Sequence, residues 1–313
     1  MVTLALIGAG KWGQNYLRLT SQLNTCVIKY VCAQRQETLK LLPDRYIKTL
    51  SINDLAKKND IDGFIIATPG STHFEIAKYL LSLGRNLLIE KPLTTDYNQA
   101  LILQKIWQVK KPKVLVGHTY LYNPAYKIFK KLYKDVEAVK SINFEGLSSP
   151  ERKDSSVIWD WGPHPISMLI DLIKQPIKKV RARGLIKSSN TKLYDKVYAT
   201  LQFINGIKAS IHISWQGSDK VRKLTVEGRD KKIEFDDTNT NQRKILVQIP
   251  NNLPRYPNYK PEPALNYELL EFAAAIHSSK KITSDINLGV KVTRILSAIE
   301  QSAASNSKLV KLD

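Results

Sequence analysis

"IGAGKWGQNYLR" (residues 7–18) follows directly on the apolar run of residues 2–7 and contains G-x-G-x-x-G as Gly8, Gly10 and Gly13. A phosphate cradle needs a strand, a tight turn free of side chains, and a helix whose first N–H groups face the anion. Residues 1–7 are short, apolar and compatible with a strand, and residues 12–22 can form the helix. Gly8 would allow the turn, Gly10 the close approach of a pyrophosphate, and Gly13 close helix–strand packing. Glycines also punctuate ordinary strand–helix loops, so the rest of the chain has to decide.

The pattern that follows agrees with the first reading. Up to about residue 120 strands and helices alternate: "CVIKYVCA", the capped "SINDLAKKN" (Ser51, then Asp54), "IDGFIIATP", "STHFEIAKYLLSLG" ended by Gly84, "NLLIEKP", "DYNQALILQKIWQVK" and "KVLVGHTY". Strands separated by helices of this length imply right-handed βαβ units in a doubly wound parallel sheet. Near residue 123 the texture changes. Helices at 125–133 and after Pro163 precede a strand-rich stretch, 178–249, with hairpin turns at "NG" (205–206) and "GRD" (228–230). Residues 250–263 read as a loop, and helices at 264–278 and 286–305 close the chain. The expected division is a dinucleotide-binding α/β domain, 1–122, and an α+β domain, 123–313, on a large, mainly antiparallel open sheet.

Composition narrows the class. The chain has 313 residues, is 43% hydrophobic and 24% charged, and lacks low-complexity tracts. No stretch of about 18 apolar residues occurs, and the N-terminal apolar residues run straight into the glycine turn without a basic leader, so a cytoplasmic protein is expected. Cys26 and Cys32 exclude a disulfide framework and read as reduced core thiols. The five histidines are scattered, with no spacing that suits a metal site. A net charge of +20 raises nucleic acid as a partner. The lysines come as dispersed pairs, however, with no basic arm or aromatic–basic motif; a solvated surface that attracts an anionic substrate accounts for them.

Three further stretches carry chemistry. "ATPGSTH" puts Thr68 and Pro69 at a strand's C-terminal end, where open α/β sheets bind ligands, with His73 close behind. "IEKPL" puts Glu90 and Lys91 after apolar strand residues, so the pair should face a cleft, where Lys91 could donate to a substrate hydroxyl or developing alkoxide. A surface lysine in a loop is the plainer reading. Pro92 allows a cis peptide, although trans is the usual state. In "WDWGPHPIS", Asp160 and His164 are four apart at the start of a helix and can share one side of it. A carboxylate beside an imidazole orients it and raises its pKa, which suits proton transfer. A helix cap beside a packed histidine makes the same pattern.

Taken in order, the glycine turn, "TPGSTH", "EKP" and D-x-x-x-H, with "NPAYKIFKKL" and the closing "YELLEFAAAIHSSKKITSDINLGVKVTRIL", resemble the Gfo/Idh/MocA oxidoreductase family along nearly the whole chain. The resemblance implies NAD or NADP in the first domain, held by Gly8, Gly10, Lys11, Trp12 and Gly13, by Gln34 and Arg35, by Thr68, Pro69 and His73, and by Glu90 and Lys91. It implies a sugar or cyclitol at the second domain's sheet, with Lys91, Asp160 and His164 around the reacting carbinol, and a second subunit covering the open sheet. Two positions depart from the family. Gln34 replaces the acid common at the end of the second strand; with Arg35 next to it, a 2′-phosphate is tolerated and NADP is favoured, while an Arg35 stacked on adenine suits either cofactor. Ser167 stands where many relatives have an acid. The "WDWGPHPIS" variant is most like members acting on nucleotide-linked or cell-surface sugars. A cofactor-binding sensor without turnover, and a glycosidase working through transient oxidation, are the rival readings.

Overall fold

The computed structural model describes residues 1–148, 155–185, 193–240 and 242–312. The first part of the chain forms β1 (Val2–Ile7), α1 (Lys11–Thr20), β2 (Cys26–Cys32), α2 (Gln36–Lys40), β3 (Ile47–Thr49), α3 (Ile52–Ala56), β4 (Gly63–Ile66), α4 (His73–Ser82), β5 (Asn86–Glu90), α5 (Tyr97–Lys110) and β6 (Val114–Gly117). All six strands run parallel, in the order β3-β2-β1-β4-β5-β6. The order reverses between β1 and β4, so the crevice for a ligand lies beyond their C-terminal ends. The central strands are buried on both faces, which is why they read as unbroken apolar runs: Leu4, Leu6, Phe64, Ile65 and Ile66 are all enclosed. Ser51 caps α3 by accepting from the Asp54 amide at 3.2 Å, and Gly84 (φ +77°) ends the α4 segment. Cys26 and Cys32 are free and buried, and burial pushes the Cys32 thiol up to about 11.

The second part forms α6 (Pro124–Tyr133), β7 (Ser141–Leu147), α7 (Val157–Asp160), α8 (Pro163–Ile173), β8 (Ile177–Leu185), β9 (Lys196–Phe203), β10 (Lys208–Ser214), β11 (Val221–Glu227), β12 (Lys232–Asp236), β13 (Ile245–Gln248), α9 (Ala264–Ile276), α10 (Ile286–Ala304) and β14 (Val310–Lys311). The sheet order is β13-β12-β11-β7-β10-β9-β8-β14, antiparallel except for the β7–β10 pair. Period-two alternation sends Val197, Ala199, Leu201 and Phe203 of β9 inward and leaves Tyr198 and Thr200 outside. On the inner face Tyr126 and Phe129 of α6 pack against Phe235.

Three features differ from the sequence reading. The strand-rich region begins at β7, not at residue 178, and β7 lies in the middle of the sheet. The helix expected to carry both Asp160 and His164 is broken: α7 ends at Asp160 and α8 starts at Pro163. A side chain at the intervening Gly162 would put its Cβ 2.2 Å from Ile158 O and 2.5 Å from Leu296 Cδ2, so only glycine fits. The Lys91–Pro92 peptide is cis rather than trans.

Two compact units divide the chain: residues 1–118 with 265–293, and residues 119–264 with 294–313. The return of 265–293 to the first unit has a packing cause. Phe272 and Ile276 close over Gly63, where a Cβ would come within 3.1 Å of both, and Ser284 is bonded to the backbone of β6.

Candidate active site

In the first unit the glycine turn has the shape its spacing implies. Gly8 adopts φ +96°, and a Cβ there would fall 2.7 Å from Ala67 O and 2.8 Å from Thr68 Cγ2. A Cβ on Gly13 would fall 2.1 Å from Gly8 O, so helix and turn touch. Gly10 is different. A Cβ there meets nothing within 4 Å, and Gly10 is itself the N-cap of α1, with no side-chain cap, so space lies open beside the start of the helix. That cradle, at the β1–β4 switch point, fits a dinucleotide pyrophosphate. Lys11 and Trp12 open the helix and are exposed, as are Gln34 and Arg35 beyond β2, where no acid stands at the strand's end.

"TPGSTH" and "EKP" are tied together by His73, which is enclosed at 0% exposure. Its Nδ1 lies 2.7 Å from Pro92 O and its Nε2 2.9 Å from Thr68 O. Burial lowers its pKa, the two carbonyls oppose this, and the charge of Lys91 adds to the lowering. His73 thus sits between the two loops inside the protein, and its neutral ring has one N–H to give to one of the two carbonyls. Thr68 is half-buried and Pro69 exposed.

Glu90 and Lys91 part company, contrary to the expectation that both face a cleft. Glu90 is buried, while Lys91 is half-buried. The Glu90 Oε1 atom accepts from the Trp12 indole and, at 2.5 Å, from the Tyr16 hydroxyl; its Oε2 accepts from the Lys91 amide at 3.2 Å. Tyr16 Oη also lies 3.1 Å from Oε1 of Glu268 on α9. Burial raises the Glu90 carboxyl above its ordinary range, against the pull of its Tyr16 and Trp12 bonds and of Lys91. Tyr16 is raised by burial and by both acids. Glu90 therefore fixes the backbone from which Lys91 springs.

In the second unit His164 and Asp160 are both half-buried. The His164 ring meets Tyr120 edge-on at 4.9 Å and Trp161 at 5.8 Å. Arg222 lies over the Trp161 ring at 5.3 Å and 3.7 Å from Asp237, which also accepts from Lys244 at 2.6 Å. Sequence reasoning missed Tyr120, Arg222 and Asp237, which come from three separate segments without a shared motif. Ser167 is enclosed and donates to His164 O at 2.9 Å, so its hydroxyl is spent within α8.

The model for "Oxidoreductase family, NAD-binding Rossmann fold" matches residues 2–118, and that for "GFO/IDH/MocA C-terminal domain" matches residues 144–234. The chain belongs to the GFO/IDH/MocA oxidoreductase family. A UDP-N-acetylglucosamine 3-dehydrogenase of Acidithiobacillus ferrooxidans is 27% identical over 251 residues, covering 77% of this chain and 78% of that protein. An inositol 2-dehydrogenase of Rhizobium meliloti is 22% identical, covering 98% of each. A crystal structure from Magnetospirillum magnetotacticum MS-1 is 29% identical, covers 95% of this chain and 99% of that one, and has a TM-score of 0.85. As a GFO/IDH/MocA member this protein is an NAD(P)-dependent oxidoreductase. No helix among the described residues is long and apolar enough to cross a membrane.

Proposed function

We propose that this GFO/IDH/MocA protein oxidises a secondary carbinol of a nucleotide-linked sugar to its ketone, or runs the reverse reduction, with NADP favoured over NAD. The observation that carries the reading is the construction around Lys91: a buried, triply bonded Glu90 anchors the backbone of a half-buried lysine at a strand end. Such a lysine is suited to stabilising charge on the reacting oxygen. The A. ferrooxidans relative, by its name, supports a nucleotide-linked sugar. Exposed Gln34 and Arg35 support tolerance of a 2′-phosphate; NAD binding more than tenfold tighter than NADP would remove that preference.

A dinucleotide whose pyrophosphate was held at the glycine cradle would supply hydride exchange through its nicotinamide. The chain's own residues do the rest. Lys91 donates to the carbinol oxygen as negative charge grows on it. His164 exchanges the carbinol proton, and Asp160 orients His164 or holds a neighbouring hydroxyl. For the family's self-association we assign the outward sheet face of the second unit, which carries Tyr198, His212 and Arg183. A single subunit by light scattering at micromolar concentration contradicts that assignment.

The role of His164 has a direct test. In folded His164→Asn protein turnover is expected to fall by roughly 10²–10⁴. In the parent the oxidative rate should rise with pH through one ionisation, because a base accepts a proton only when unprotonated. The variant should lack that limb, and Asp160→Asn should move it to lower pH, since a carboxylate favours the imidazolium. An unchanged profile in active His164→Asn protein assigns proton transfer elsewhere.

A further inference from the structure

His118, the residue after β6, has a ring only 1% exposed, and its surroundings decide which nitrogen carries the proton. Ser284 Oγ lies 2.7 Å from Val116 O, a carbonyl that only accepts, so the single hydroxyl proton points there. The same Oγ lies 2.8 Å from His118 Nδ1. With its own proton committed, Oγ accepts, and Nδ1 must be the donor. Nε2 of the neutral ring is then a lone pair. It is buried, and among the described residues no hydrogen-bond donor reaches it. An acceptor shut away from water without a donor is costly and calls for an explanation.

The neighbouring strand suggests the donor. Strands β5 and β6 are parallel, with Glu90 opposite Gly117, so the next residues, Lys91 and His118, leave adjacent strand ends within one unit. Burial first, and then the charge of Lys91, hold the imidazole down to about 3, so the ring stays neutral and Nε2 stays an acceptor. An ammonium carries three N–H groups and can spend one on such an acceptor while keeping others for substrate.

We infer that His118 is a positioning residue for Lys91: the Lys91 ammonium does not reach Nε2 in this structure, and on turning to that buried acceptor it is set in place for the reacting oxygen. The inference rests on the catalytic role proposed for Lys91, but its geometric part can be tested without turnover. Imidazole ¹H–¹⁵N correlation spectra of the full-length protein should show the Nδ1–H tautomer of His118, with no titration near the ordinary value of about 6.5. The Nε2 resonance should shift in Lys91→Met. An Nε2–H tautomer, or an Nε2 signal indifferent to Lys91→Met, overturns the inference whatever the activity proves to be.

Kinetics supply the second arm. His118→Phe keeps a ring and loses the acceptor, whereas His118→Gln restores an acceptor oxygen. In His118→Phe, kcat should fall on the order of tenfold or more with cofactor affinity and KM little changed, as expected of a misplaced donor. His118→Gln should recover most of the loss. Equal kcat in folded His118→Phe and parent protein would leave His118 a packing residue and refute the inference.

Discussion

His118 and His73 are enclosed imidazoles whose pKa values burial pulls below the ordinary one. The sign of the consequence follows from proton counting. Below about pH 6.5 the unfolded chain takes up a proton at each ring, while the folded protein refuses it until the lower folded value is reached. Their stabilisation is therefore present above pH 6.5 and is lost as pH falls, for His118 down to about 3. At about 1.4 kcal/mol per pH unit, His118 alone accounts for roughly 4–5 kcal/mol across that window. Denaturant titrations of the parent should show stability falling with acid from pH 6.5, with a shallower slope in His118→Gln; equal slopes would contradict this. At this scale legibility depended on distance along the chain. Lys91 was visible as a charge after an apolar strand. That Glu90 turns inward was not, because its partners Trp12 and Tyr16 lie 78 and 74 residues away.

The glycine turn acts as an element, and its three glycines should fail differently. A methyl at Gly13 has no room, 2.1 Å from Gly8 O, so Gly13→Ala must separate helix from turn. A cost of about 1–3 kcal/mol or more is expected, seen as a lowered Tm. A methyl at Gly10 meets open space. Gly10→Ala should leave Tm within a degree or two while weakening dinucleotide binding, measured by calorimetry; unchanged affinity would move the pyrophosphate away from the N-terminus of α1. Elements whose signal is local were readable: the alternating parallel strands, the cap at Ser51, and the hairpins at residues 205–206 and 228–230. The β7 strand was missed because only Ile142 and Phe144 mark its alternation, and inward-facing Gly146 adds no apolar signal. The break between Asp160 and His164 was missed for another reason. Spacing of four residues describes a continuous helix, and the need for a bare Gly162 comes from the fold, from Ile158 O at 2.2 Å and from Leu296 far along the chain.

Over the whole molecule, charge and chemistry agree. A net charge of +20 spread over many surface lysines favours encounter with anionic ligands such as dinucleotides and nucleotide sugars. The outward face of the second unit's sheet carries charged and aromatic side chains. It holds a hollow of about 600 Å³ where Tyr198 stacks on His212 at 4.3 Å and Glu145 bonds the same imidazole at 3.1 Å, with Arg181, Arg183 and Lys223 around them. Fold and family could be read from motif order, because each motif sits at a strand end or helix start fixed by its own local pattern. The substrate could not, since the residues around His164 come from separate segments without a shared motif. One measurement bears most directly on the redox reading: absorbance of the reduced nicotinamide, followed while the protein and oxidised NADP or NAD meet a panel of nucleotide sugars, free sugars and cyclitols. At least one nucleotide sugar should generate reduced cofactor, and folded Lys91→Met protein should do so about 10²–10³ times more slowly. Tight cofactor binding with no turnover of any sugar, or undiminished turnover in Lys91→Met, would contradict it.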